Sequence, residues 1–524
     1  MTRQKGTLMT GAELLLKTAV KGGIEVCFTN PGTTEMPLVC AFDSVAGIRP
    51  VLGLFEGCCT GAADGYGRMT DKPAMTLLHL GPGLGNGIAN LHNARRGRTP
   101  VLNVIGEHAT WHQSADAPLN MNIATLAETV SGWQRTSAAP QNLSRDTADA
   151  ITAALQGKVA TLIVPSDVQW SDSRNNKIHL SKTPDACVDK ESIERAADLL
   201  RTDQKAALIL GGRALRQKGL MAAARIKAKT GCDLLSERAP ARMERGAGIP
   251  ATEFIPYFPR QALDLLSKYQ TVVLAGAGEP VTFFGWQGYE SRLLNDEQDI
   301  CQIKAADKIL PQALENLADA LQAPGNFDAA DVGFSQVERP ALPRGKLTAQ
   351  NACLILAALQ PENTIIVNES ITSGAAYFPL EPGLPPHTLL MLPGGAIGYG
   401  MPCAVGAAIA CPRRPVINFQ ADGSAMYTVQ ALWMQAREGL GVTTLICSNR
   451  SYNILNIEFS RSGLTSPGRY AQTLTDLSNP TIDWVQISKG LGVPAVAVDR
   501  CEDLAQELKK ALDEPGPHLI EMDL

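Results

Sequence analysis

The sequence predicts an α/β protein of three doubly wound parallel-sheet domains, and three observations carry that prediction. Apolar runs of strand length recur along the chain, and stretches with helical spacing separate them. The runs are continuous rather than alternating, as expected of strands buried on both faces of a parallel sheet. Two polar segments interrupt the alternation, and 524 residues suffice for several cores.

Taken in order, "MTRQKGTLMTGAELLLKTAVKGG" spaces Leu and Ala as an amphipathic first helix. It has no uninterrupted apolar core followed by a small-residue cleavage site, so no signal peptide is expected. "PAMTLLHL", "PVLNVIG" and "ATLIVP" mark strands of a first domain, residues 1–182, and "SDSRNNKIHLSKTPDAC" reads as a linker. "AALILGG" and "TVVLAGAG" are strands ending in glycine within a central domain, 188–335. The proline-bearing "FDAADVGFSQVERPALPRGK" closes it as a second linker. "NTIIVNES", "PVINFQADGS", "TTLICSNRS" and "HLIEMDL" repeat the alternation in a third domain, 346–524.

A net charge of -5 gives no basic surplus for a nucleic-acid backbone or an anionic membrane, and neither partner is expected. No run of 18 apolar residues marks a membrane span. Twelve cysteines without a CxxC pair or a disulfide framework fit a reducing cytoplasm, and Cys58 and Cys59 read as small core residues.

The chemistry-bearing stretch is "PVINFQADGSAMYTVQAL", where a strand runs into Asp422, Gly423 and Ser424. Asn449 ends the next strand 27 residues later, after one helix. Adjacent parallel strands joined by a crossover helix bring both ends to one edge of the sheet. An acid and an amide oxygen there suit Mg²⁺, which keeps positions open for substrate phosphates, and the N–H groups of Gly423 and Ser424 suit the phosphates themselves.

This stretch resembles the diphosphate-binding motif of the thiamine diphosphate (ThDP) enzymes, with Ala421 where their first glycine usually stands. The resemblance is to the branch holding benzoylformate decarboxylase, acetolactate synthase and pyruvate oxidase. It implies pyrimidine-binding, central and diphosphate-binding domains, with metal bound by Asp422, Asn449 and the carbonyl of Ser451, and cofactor flanked by Tyr452, Asn453 and Ile454. "VLGLFEGCCTGAADGYGR" is similar to the segment bearing the family's catalytic glutamate, which makes Glu56 the partner of the aminopyrimidine ring. "FTNPGTTEMPL" implies Asn30, Pro31, Gly32 and Thr33 near the active centre, and "LLHLGPGLGNGIANLHNARRGRTPVLNVIGE" implies His79 and Asn86. "GPGLGN" lacks the last glycine and the ribose acid of a dinucleotide fingerprint. "IIVNESITSGAAYF" and "LPGGAIGYGMPCAVGAAIA" imply Thr372 beside the diphosphate and Ile397 as the prop that bends the cofactor.

The implied reaction is ThDP- and Mg²⁺-dependent, non-oxidative decarboxylation of a 2-oxo acid, with an acetolactate-synthase-like carboligase as the alternative. The family's site lies between subunits, so a homodimer is the implied minimum, and homotetramers are common in the branch. His79 matches a histidine of benzoylformate decarboxylase, and Thr33 replaces its serine. The second histidine of that enzyme is unmatched, because Gly285 stands there between Phe283, Phe284 and Trp286. The acetolactate synthase glutamine is missing near Pro118 and no clear flavin-binding stretch is present, so no FAD is expected. His108 and His112, four apart, lack a third ligand and read as substrate or proton contacts.

Overall fold

The computed structural model describes residues 9–174, 177–182, 186–202, 204–329, 332–463 and 467–524. Residues 1–8 of the amphipathic N-terminal segment, and parts of both linkers (175–176, 183–185, 330–331), lie outside them. The predicted first helix spans Gly11–Lys21. A capping box starts it: Glu13 N–H donates to Thr10 Oγ1 (3.3 Å) and Thr10 N–H to Glu13 Oε2 (2.9 Å).

Three sheets carry the chain. The first holds β1 (Val26–Thr29), β2 (Arg49–Leu52), β3 (Ala74–His79), β4 (Val101–Glu107), β5 (Trp133–Thr136) and β6 (Val159–Pro165), in the order β2-β1-β3-β4-β6-β5 and all parallel. Every residue of β1, β4 and β6 is buried, which is why these strands read as unbroken apolar runs. The second sheet is built from β7 (Ala206–Leu210), β8 (Asp233–Ser236), β10 (Glu253–Phe254), β11 (Thr271–Ala275) and β12 (Asp299–Gln302), also parallel.

Between β8 and β10 the chain forms β9 (Arg242–Arg245), which joins the third sheet instead. That sheet runs β17-β18-β16-β15-β13-β14-β9, from β13 (Ile365–Glu369), β14 (His387–Leu390), β15 (Val416–Ala421), β16 (Val442–Ser448), β17 (Ala495–Val498) and β18 (His518–Asp523). The antiparallel β9 departs from the all-parallel expectation. Its cause is edge protection: β14 is fully buried, and β9 takes up the hydrogen bonds its outer side would otherwise leave open. Arg245 anchors this strand through a buried ion pair with Glu381 (3.0 Å) and a hydrogen bond to Thr252 O (3.0 Å).

The first and third sheets meet through two helices, Glu56–Thr70 and Gly400–Ala410, that cross at backbone contact. A Cβ on Gly65 would stand 2.2 Å from Cys403 O, and one on Gly406 would stand 1.9 Å from Ala62 O. Among the described residues, no helix is long and apolar enough to cross a membrane.

Candidate active site

Strand order decides where a site forms. From β1 the chain moves to β2 on one side and to β3 on the other, so the carboxyl ends of β1 and β3 bound a crevice. Asn30, Pro31 and Gly32 follow β1, and His79 ends β3. The third sheet reverses in the same way between β13 and β15; Thr372 follows the first and Asp422 the second. The predicted residues thus collect at two switch points.

At the first, Glu56 opens its helix at the end where the dipole favours an acid, and it is 7% exposed. Two amides hold its carboxylate: Asn30 Nδ2 lies 3.4 Å from Oε1 and Asn86 Nδ2 donates to Oε2 at 3.0 Å. His79 is adjacent, since a Cβ on Gly83 would stand 3.5 Å from both Glu56 Oε1 and His79 Cβ. His79 Nδ1 lies 2.8 Å from Glu35 Oε2 and 3.2 Å from Thr34 Oγ1. Glu35 is fully buried and also accepts from Gly32 N–H (2.8 Å) and from the Thr34 hydroxyl. The Glu35 hydrogen bond holds His79 above the usual imidazole range; burial opposes this, and the charges of Glu35 and Glu56 reinforce it. Thr33 is exposed, and the hydroxyl beside His79 belongs to Thr34.

At the second switch point Asp422 is buried, and its carboxylate accepts from Gly423 N–H (2.8 Å) and Arg450 N–H (2.7 Å). Burial pushes it above the ordinary carboxylate range against the pull of those donors. β15 and β16 pair with Ala421 opposite Cys447, which carries Asn449 to the same edge. Arg450 takes a left-handed φ of 53° to make the turn, and Asn449 Oδ1 accepts from Ser451 N–H at 3.0 Å. The Arg450 guanidinium pairs with Asp523 (2.9 Å). Tyr452 lies over Gly423, where a Cβ would come within 2.4 Å of its ring, and Asn453 Nδ2 is 3.5 Å from Thr372 Oγ1. Ile454 is half-buried in the helix Asn453–Arg461. Ala421 has φ -75° and ψ 144°, so alanine costs no backbone strain there. The expected crossover helix is Ala431–Glu438, and Gly423 and Ser424 lie before it in a separate one-turn helix, Asp422–Ala425.

Ile397 sits half-buried in a loop that all three parts of the chain hold. Gly398 turns it with φ 91°. The buried Glu369 accepts from Gly398 N–H (2.6 Å), Gly400 N–H (2.7 Å) and Gln420 Nε2 (3.0 Å), and Gln420 reaches Ser424 Oγ at 2.7 Å. From the helix Leu80–Arg96, Asn93 Nδ2 donates to Ala396 O (2.8 Å) and His92 Nε2 lies 3.1 Å from Gly394 O. From the central part, the Phe283 ring would lie 2.7 Å from a Cβ on Gly395, and Trp286 Nε1 donates to Glu458 Oε2 (3.1 Å). The Gly285 stretch therefore reaches this loop. Neither Glu35, Thr34 nor Glu369 stood out in the sequence. His108 and His112 pack edge to face at 5.4 Å, and no group of three or more His, Cys, Asp or Glu among the described residues is placed to hold a metal.

Residues 9–127 match the family description "Thiamine pyrophosphate enzyme, N-terminal TPP binding domain", and residues 371–522 match its C-terminal TPP binding domain. A Mycobacterium tuberculosis protein, provisionally named acetolactate synthase large subunit IlvX, is 48% identical over 98% of this chain and 99% of its own. The chain belongs to the thiamine pyrophosphate enzyme family. Benzoylformate decarboxylase of Pseudomonas aeruginosa is 27% identical, over 95% of this chain and 96% of its own. The solved ThDP-dependent 4-hydroxybenzoylformate decarboxylase of Rhodococcus jostii shares the fold, with a TM-score of 0.82 over 98% of both chains at 23% identity.

As a member of this family the chain takes thiamine diphosphate, with Mg²⁺ the family's usual partner metal. The donor set fits. Asp422 is a buried carboxylate with no ion pair to Lys, Arg or His among the described residues, and Asn449 adds a hard oxygen. Such an environment suits a divalent cation. The absence of a side chain at Gly423 leaves a cradle under Tyr452 that any larger residue would fill.

Proposed function

We propose that this protein is a ThDP- and Mg²⁺-dependent lyase that removes CO₂ from a 2-oxo acid without oxidation. The observation carrying the reading is Glu56 held between the Asn30 and Asn86 amides with His79 beside it. Asp422, Asn449 and the Ser451 carbonyl would hold Mg²⁺. Gly423, Ser424, Thr372, Tyr452, Asn453 and Ile454 would border the diphosphate end, and Ile397 would support the thiazolium. Glu56 would hydrogen-bond the pyrimidine ring, with Asn30, Pro31, Gly32 and Asn86 shaping that end. The bound cofactor supplies an electron sink for the pair left when the C–C bond breaks. His79 would hold the proton that replaces CO₂, and Thr33 would line the entrance.

Phe283, Phe284 and Trp286 stack edge to face beside the Ile397 loop, which favours a substrate with an aryl or other apolar side chain. No hydrogen bond among the described residues links Glu56 or His79 to Asp422, Asn449 or Ser451 within one chain. The reading assigns their meeting to two copies, a homodimer at minimum and a homotetramer by resemblance, in the cytoplasm.

The carboligase reading is favoured by the 48% identity to the protein named as an acetolactate synthase large subunit. One experiment separates the two. Pyruvate, branched-chain 2-oxo acids and benzoylformate are offered with and without ThDP and Mg²⁺, and CO₂ and carbon products are identified. An aldehyde, with CO₂ release lowered by about 10²–10⁴-fold in Glu56→Gln, supports the lyase; an acetolactate-type product replaces it with the carboligase.

A further inference from the structure

Glu35 stood out in no sequence motif, yet the fold makes room for it at two places. A Cβ on Gly106, in β4, would lie 1.8 Å from Glu35 Oε1, and a Cβ on Gly32 would lie 2.3 Å from the His79 ring. Glycine at these two points is what lets a carboxylate and an imidazole lie against each other there. Three donors converge on the carboxylate: Gly32 N–H, the Thr34 hydroxyl and His79 Nδ1. Glu35 is fully buried, whereas the His79 side chain is 22% exposed and its Nε2 has no partner among the described residues.

The arrangement orients the ring. A carboxylate that already accepts from Gly32 and Thr34 can only accept from Nδ1, so Nδ1 carries hydrogen and Nε2 is the atom turned outward. Thr34 Oγ1, whose hydrogen goes to Glu35, has lone pairs left for the same Nδ1–H at 3.2 Å. The groups acting electrostatically on His79 are Glu35 on the inner side and Glu56 on the side of the site, both acidic. Each favours the imidazolium.

We propose that Glu35 is a positioning residue for the reaction assigned above: it fixes His79 with Nδ1–H turned inward and keeps a proton at Nε2 for transfer to the carbon that has lost CO₂. The proposal rests on that functional reading. In each turnover Nε2–H breaks, one C–H bond forms at that carbon, and Nε2 regains one proton from water, so a 2-oxo acid anion and one proton become an aldehyde and CO₂. The pair stores no net charge from one turnover to the next.

The test begins without cofactor. Protein labelled at its seven histidines is titrated by NMR, with the His79 signals assigned from His79→Ala. Wild-type His79 should titrate above the ordinary imidazole value with Nδ1 protonated in the neutral form, and Glu35→Gln should lower its midpoint toward that value. With ThDP, Mg²⁺ and the best 2-oxo acid, Glu35→Gln should lower kcat at least tenfold, move the acidic limb of the pH profile with the NMR midpoint, and add nothing in a His79→Ala background. Glu35→Asp, which keeps the charge, should recover part of the titration shift and serves if Glu35→Gln does not fold. A His79 midpoint unmoved by both variants overturns the positioning claim, as does an undiminished Glu35→Gln effect in the His79→Ala background. A shifted midpoint with wild-type turnover by His79→Ala overturns instead the reaction assigned to the site.

Discussion

Gly406→Ala tests whether the two helices beneath the site cross at backbone contact. The added methyl would stand 1.9 Å from Ala62 O and 2.6 Å from Tyr66 N, both main-chain atoms that cannot rotate away. Ordinary carbon contacts begin near 3.5 Å, so the helices must part by roughly 1.5 Å or bend. Overpacking of this kind costs about 1–3 kcal/mol, and the better helix propensity of alanine returns at most about 1 kcal/mol. Each kcal/mol lost lowers a midpoint by about 2–4 °C in a unit of 150–250 residues. Function should suffer further, because one helix begins at Glu56 and the other at Gly400, whose N–H is held by Glu369. Separating them would shift Glu56 in one of the proposed two-copy sites and the Ile397 loop in the other. The assay pairs thermal unfolding with calorimetric titration of ThDP in Mg²⁺, using Gly490→Ala, where the methyl meets open space, as control. A Gly406→Ala protein with the midpoint and ThDP affinity of the control would refute the close crossing.

Three other outcomes follow from buried groups. Burial raises Glu369 above the ordinary carboxylate range despite donors from Gly400, Gln420, Gly398 and Tyr399, so the folded state binds its proton more tightly than the unfolded chain. Its contribution is therefore fully present below the ordinary carboxylate value and is lost as pH rises through the folded one. Glu369→Gln should flatten the fall of the melting midpoint above about pH 4, and identical slopes would remove the argument. Glu381→Leu leaves Arg245 buried and unpaired and should cost about 3–5 kcal/mol by chemical denaturation, while Arg245→Met with Glu381→Leu should cost less than the single change; a larger loss in the double would contradict it. Cys40 and Cys187 are exposed and should be labelled first by a thiol reagent, whereas Cys353, pushed up to about 12 by burial, should react only on unfolding; early labelling of Cys353 by mass spectrometry would show its packing to be looser.

What the sequence disclosed depended on how local its cause was. The strands ending at His79, Ala421 and Ser448 could be read from their own apolar runs, and Asp422 and Asn449 from strand ends one helix apart. β9 could not: "RMER" alternates charge with methionine, and its partner β14 begins about 140 residues later. Glu35 has the same difficulty. In "NPGTTEMP" it looks like any acid near a turn, and its burial depends on Gly106 in a strand about 70 residues away. The nearest local signal was at Glu369, an acid two residues past the apolar run "IIV" and still within the strand it begins.

The same residues explain why the loop bearing Ile397 needs the whole chain. A loop bearing Ile397 has no apolar core of its own, and its conformation is fixed by polar contacts from outside. Glu369 and Gln420 fix one side and pass the constraint to Ser424, while Asn93 and His92 fix the other from the Leu80 helix, whose first turns follow His79. The Leu80 helix also supplies Asn86 to Glu56. One helix therefore sets the position of the predicted thiazolium prop and of the predicted pyrimidine partner together. With each site read as shared between two copies, a displacement of that helix would disturb the pyrimidine partner of one site and the thiazolium prop of the other, which would couple the two sites through packing between the first and third sheets.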